Sequence, residues 1–109
     1  GPWARGAAAM LVLGGLAAQL GRLIDDFGLT VRTLNSLKNS NIRTLKDLVE
    51  YSEKELLDVK NVGEKAVAEI GDLLLREGLK FGMSFEEVDG DLRVVKSGVA
   101  PTMGAANGS

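Results

Sequence analysis

Cysteine and histidine are both absent from the sequence. Those two absences remove disulfides, thiolate nucleophiles, Cys/His zinc sites and imidazole general bases together, so any catalysis would have to rest on carboxylates, lysines or hydroxyls. Aromatic residues are also scarce, at 5% of the chain, and the core must therefore be built from Leu, Val, Ile and Ala, a composition that favours helices. With 109 residues there is room for one compact domain and free ends. A hairpin-type glycosylase would need a dedicated catalytic Asp and a base-sized pocket, and the sequence is short for both. A non-enzymatic domain with neither cofactor nor metal is the expectation.

Net charge is small, −2, but it is unevenly spread. Residues 29–46 carry Arg32, Lys38, Arg43 and Lys46 with no acid, while residues 47–58 carry Asp47, Glu50, Glu53, Glu55 and Asp58 against Lys54 alone. Two surfaces of opposite sign are expected, and with them two kinds of partner.

The opening GPWARG reads as an expression remnant and is set aside. The next run, AAAMLVLGGLAAQL, is interrupted by Gly14 and Gly15 and meets Gln19 and Arg22 before reaching the roughly 20 apolar residues of a membrane span. It loosely imitates a secretory signal, and a helix lying on the domain or on a partner accounts for the same residues. No membrane partner is expected.

From Leu29 the helical pattern sharpens. Thr30 offers an N-cap, Val31, Leu34 and Leu37 form an inward row, and Arg32, Asn35 and Ser36 an outward one. Residues 39–41 end that helix. Thr44 with Asp47, and Ser52 with Glu55, have capping-box spacing and open two short helices. A longer helix begins near Gly63, buries Val67, Ile70, Leu73 and Leu74, and stops at Gly78. Leu79, Phe81, Met83 and Phe85 cover the open end of the core. Asp89-Gly90, between short alternating segments, fits a small hairpin. The Gly, Ala and Ser-rich close reads as disordered. The expected division is therefore 1–20 as remnant and apolar helix or linker, 21–88 as the folded domain and 89–109 as a flexible tail.

The stretch LLDVKNVGEKAVAEI places Lys60-Asn61-Val62-Gly63 between two helices. A tight turn of this kind leaves free N–H donors and the positive end of the helix dipole at the start of the second helix, where a phosphate oxygen fits. Val59 and Val62 anchor the turn, Gly63 permits close backbone approach and Lys65 adds a cation. LNSLKNSNIRTLKDL is a degenerate second copy of this helix-hairpin-helix pattern, with Asn41-Ile42 at its turn. Gly before a helix also serves plain turn chemistry and a lone Lys is most often solvated, so the motif weighs evenly between phosphate binding and a structural hairpin. The basic segment shifts the balance towards DNA.

LTVR followed by N-S-LK, then DLVEYSEKELL, KNVGEKAVAEI and the closing GLKFGM occur in order across residues 23–83. In this the sequence resembles the C-terminal domain of the bacterial RNA polymerase alpha subunit. The resemblance implies an all-α fold: a compact, SAM-like orthogonal bundle of four to five short helices with paired hairpins. It implies a cytoplasmic, nucleoid-associated docking domain that binds A/T-rich double-stranded DNA through the minor groove, alongside sigma factor, transcription activators and the other polymerase subunits.

By position, Arg32 matches a groove-inserting arginine, Asn35, Ser36 and Lys38 its neighbours on the contact face, Gly63 and Lys65 the phosphate contacts, and Glu69 a carboxylate that orients the arginine. Asp25 and Asp26 match an acidic sigma contact; Ser52, Glu53, Lys54 and Glu55 match an activator-facing edge, where Ser52 and Glu55 equally serve as caps. Four positions depart from the pattern: Glu64 where many relatives are basic, Ala66 where a hydroxyl is common, Gly28 where a relative has an acid, and Ser36 in place of a Cys. Weaker DNA binding is the expected result. A hairpin accessory domain of a repair or ligase enzyme would share the phosphate site but lack the LTVR face, and a helical protein-interaction domain would not bind DNA.

Overall fold

A computed structural model describes residues 15–102. The opening remnant, the apolar run up to residue 14 and residues 103–109 of the expected tail lie outside the described residues. Residues 15–20 are helical, and a 3-10 turn, Ile24–Phe27, follows. Four helices come next: α1 (Val31–Asn39), α2 (Leu45–Val49), α3 (Glu53–Leu57) and α4 (Glu64–Glu77). Two strands, β1 (Ser84–Val88) and β2 (Asp91–Lys96), complete the described elements.

The short helices start where their side chains supply acceptors. Thr44 and Asp47 form a complete capping box on α2, and Ser52 and Glu55 form another on α3, each satisfying orphan donors that a five-residue helix cannot satisfy internally. Gly78, in the left-handed region at φ 72°, closes α4. The α1–α2 and α3–α4 connections share a device. Asn41 (φ 63°) and Asn61 (φ 66°) both take the left-handed conformation that Asn tolerates, and each is followed by a buried branched residue, Ile42 or Val62. Both connections therefore turn on an Asn followed by a buried branched residue. Between them lies a core in which Leu37, Ile42, Leu45, Leu48, Leu56, Val67, Ile70, Leu73 and Leu74 are fully enclosed.

The fold is not all-α. β1 and β2 pair antiparallel, with Phe85 opposite Val94 and Val88 opposite Asp91. Asp89 (φ 53°) and Gly90 (φ 84°) both adopt positive φ at the turn, as a two-residue hairpin connection of twisted strands requires. The pair holds because Phe85 and Leu92 pack against the helical core and the Lys46 ammonium sits 6.0 Å above the Phe85 ring. A local turn signal and two long-range apolar contacts together outweigh the helical bias of the composition.

Both margins of the expected domain carry structure. Leu20, placed outside it by the sequence, is fully buried, Leu16 packs beside it, and the Gln19 amide donates to the backbone oxygen of Glu77 at 2.9 Å and to its carboxylate at 3.1 Å. At the other end, residues 97–102, read as flexible, turn back onto the domain. Phe81 and Val99 exchange backbone hydrogen bonds of 3.0 and 2.8 Å, and Thr102 bonds to Glu53. No helix among the described residues is long and apolar enough to cross a membrane.

Candidate nucleic-acid interface

The starts of α1 and α4 meet at one surface. Thr30 caps α1, its hydroxyl accepting from the Thr33 N–H at 3.4 Å, whereas Gly63 precedes α4 and no side chain supplies a cap there. The first N–H groups of α4 therefore have no partner within the helix or at its cap, and the residues that carry them, Glu64, Lys65 and Ala66, line a cleft of about 480 Å³. Arg32, Thr30, Thr33, Asn61, Gly63 and Glu69 form the rest of its wall. Four residues singled out in the sequence, Arg32, Gly63, Lys65 and Glu69, are thus brought together from two segments about thirty positions apart. The cleft holds two cations and two carboxylates.

Gly63 sits at φ −109°, ψ −172°, ordinary extended backbone, and a Cβ there would meet nothing within 4 Å. Its value lies in leaving the start of α4 uncovered. The left-handed residue of this turn is Asn61.

Glu69 does not turn its carboxylate to Arg32. One oxygen accepts from the Thr30 N–H, and the other accepts from the Thr30 hydroxyl at 3.2 Å and the Thr33 hydroxyl at 2.9 Å. A carboxylate on α4 thereby fixes the first turn of α1, and with it the base from which Arg32 projects. Glu69→Ala is expected to cost about 1–3 kcal/mol of stability, because three donors lose a charged acceptor. A urea midpoint equal to that of the parent protein would show that the network is idle.

On α1 the buried stripe is rotated from the expected one. Thr33, Ser36 and Leu37 face inward, Leu34 is half-buried and Val31 is 72% exposed. Successive residues turn by about 100°, which puts Val31 about 120° of arc from Leu37 and away from the side on which Thr33, Ser36 and Leu37 are buried. Ser36 is 6% exposed and is not an outward contact. Its hydroxyl lies 3.0 Å from the Arg32 carbonyl and 3.3 Å from that of Asn61, joining α1 to the connection between α3 and α4. Asn35 is exposed on α1 outside the cleft wall.

Lys38 forms an ion pair with Asp25, joining an expected DNA contact to an expected protein contact. The Lys38 hydrogen bond holds the Asp25 carboxyl below its ordinary value. A depressed folded-state pKa means that the pair's contribution is present above the unfolded-state value and is lost as pH falls through the folded one. Asp26 is exposed beside it. Lys46 pairs with Glu50 at 3.0 Å, so among the described residues Arg32 and Arg43 are the cations of the 29–46 segment without an ion pair.

Along the expected activator edge, Ser52 and Glu55 are engaged in their capping box and Glu53 accepts from Thr102. Lys54 is exposed. Thr33 and Asn61 were not singled out from the sequence as site residues. The recurrence of Asn-Ile and Asn-Val at the two turns was the available signal for Asn61, and hydroxyls three apart at the start of α1 the one for Thr33.

The profile of a family described as the C-terminal domain of the bacterial RNA polymerase alpha chain matches residues 16–76. Over 71 residues, 65% of this protein, the sequence is 45% identical to the DNA-directed RNA polymerase subunit alpha of Aquifex aeolicus (strain VF5). The aligned part spans 22% of that protein's length.

Proposed function

The protein belongs to the family formed by the C-terminal domain of the bacterial RNA polymerase alpha subunit, and from that premise we propose that it is a non-catalytic docking domain binding A/T-rich DNA through the minor groove. The observation that carries the reading is the cleft in which Arg32 and Lys65 flank the uncapped start of α4. Backbone N–H groups and the Lys65 ammonium suit a phosphate. Arg32, exposed and outside any ion pair among the described residues, suits a narrow minor groove, where negative potential is concentrated and a weakly hydrated guanidinium enters at low desolvation cost. Glu64 and Ala66 on the same wall remove charge and a hydroxyl, which supports a modest affinity.

The same reading assigns Asp25 and Asp26 to a sigma-factor contact and Ser52, Glu53, Lys54 and Glu55 to activators, with the other polymerase subunits reached through a full-length alpha subunit in the cytoplasm, at the nucleoid. Among the described residues, the side chains of Asp26 and Lys54 are outside the hydrogen bonds that engage their neighbours Asp25, Ser52, Glu53 and Glu55.

Titrating A/T-rich and G/C-rich duplexes across a salt series tests the DNA reading. The A/T-rich duplex is expected to bind more tightly at every salt concentration. Lys65→Ala is expected to weaken both duplexes alike and to lower the salt slope by about one, as the loss of a phosphate contact does. Equal affinity of the parent protein for the two duplexes would refute the groove assignment.

A further inference from the structure

The returning segment 97–102 lies on the domain as an extended peptide lies on a receptor. Its Val99 pairs with Phe81 through both backbone hydrogen bonds, its Pro101 is buried, and the Thr102 hydroxyl meets both Glu53 oxygens at 2.9 and 3.0 Å while its N–H reaches one at 3.1 Å. Gly98 stands at φ 78°, and a Cβ there would fall 2.3 Å from the Phe81 carbonyl oxygen. The segment is held by these few points, with Val99 65% exposed, and beside it Ser52, Glu53, Lys54 and Gly82 border an open cleft of about 390 Å³. Few buried contacts and an exposed flank are the marks of a locally weak element.

We propose that the groove between Phe81 and Glu53 is a docking site for an extended peptide with glycine against the Phe81 carbonyl, one residue before the position that pairs with Phe81, and, four residues after that glycine, a hydroxyl residue at Glu53. Residues 97–102 fill it in cis, and a partner protein carrying such a segment displaces them. Main-chain pairing at Phe81 supplies affinity, while the glycine and hydroxyl positions supply selectivity. The inference gives the proposed protein-contact edge a partner chemistry and rests on that reading for the role of Glu53. Its test contains no DNA, so its failure leaves the groove reading standing.

The probe is the synthetic peptide Lys-Ser-Gly-Val-Ala-Pro-Thr, titrated at up to millimolar concentration into the isotope-labelled full-length protein while the Phe81 amide is followed by NMR. A tethered occupant acts at an effective concentration of about millimolar, so the parent protein is expected to bind the peptide at least tenfold more weakly than a variant whose strap is dislodged. Gly98→Val dislodges it by the contact with Phe81. In that variant Phe81 amide exchange should rise at least tenfold, the peptide should restore protection, and adding Glu53→Ala should weaken the peptide severalfold. Thr102→Ala, which leaves Phe81 untouched, is the second variant and should open the strap more mildly. A folded Gly98→Val or Thr102→Ala protein that ignores the peptide overturns the proposal. So does unfolding of both variants, which would make the strap an integral part of the core, or a strap-exchanged dimer of the parent protein, which would make the occupant a second copy.

Discussion

Leu20→Ala is expected to lower the unfolding free energy by about 2–5 kcal/mol, the range found for truncating a fully enclosed leucine. Leu20 has no exposed surface and belongs to the same apolar cluster as Leu16, Ile24 and the buried residues of α4, so the truncation leaves a cavity rather than a solvated notch. A domain of this size loses about 4–8 °C of thermal midpoint per kcal/mol. Gln19→Ala should have a smaller effect, since it removes an amide that reaches only the end of α4. An unchanged midpoint for Leu20→Ala in a calorimetric scan would mean that residues 15–20 do not dock in solution.

Arg32→Ala is expected to lose about 1–3 kcal/mol of binding to A/T-rich duplex, with the unfolding midpoint unchanged. The separation of the two readouts follows from geometry. The Arg32 side chain lines the open cleft outside any ion pair among the described residues, and what the fold takes from this position is its backbone carbonyl, which the Ser36 hydroxyl meets. The variant should also lose preference for A/T over G/C sequence, because the narrow groove is read by the inserted guanidinium. Arg32→Lys should restore only part of the loss, an ammonium being more strongly hydrated. A folded Arg32→Ala protein with its A/T preference intact would remove the ground for placing Arg32 in the groove.

How far the sequence could be read depended on the range of the interaction involved. Caps at Thr30, Thr44, Ser52 and Gly78 were legible because each acts within three or four residues of itself. The rotation of the α1 stripe was not, since periodicity specifies an apolar arc but not that the polar Thr33 and Ser36 are buried, a preference set by Glu69 and the Asn61 carbonyl far along the sequence. Docking of Gln19 and Leu20 onto α4 and of Thr102 onto Glu53 likewise depends on residues about fifty positions away, and small-residue composition alone gives no sign of it. Asp89-Gly90 did announce its turn, yet whether two five- or six-residue strands persist depends on Phe85 and Leu92 finding the core. In the cleft, Arg32, Gly63 and Lys65 were legible as types, whereas the true partners of Glu69 emerged only when α1 and α4 were placed side by side.

The mixed lining of the cleft has a kinetic consequence under the proposed function. Arg32 and Lys65 share it with Glu64 and Glu69, and Lys38 and Lys46 are each neutralised by an acid, so beyond a Debye length little positive field remains. Encounter with a duplex then proceeds without electrostatic steering, at about 10⁵–10⁶ M⁻¹s⁻¹ rather than the far faster rates of strongly basic surfaces. Attraction begins only once phosphate and N–H groups are nearly touching. Such a surface discriminates by how long it stays rather than by how often it arrives, and any second tether that keeps the domain near DNA lengthens its occupancy without changing a single contact in the cleft.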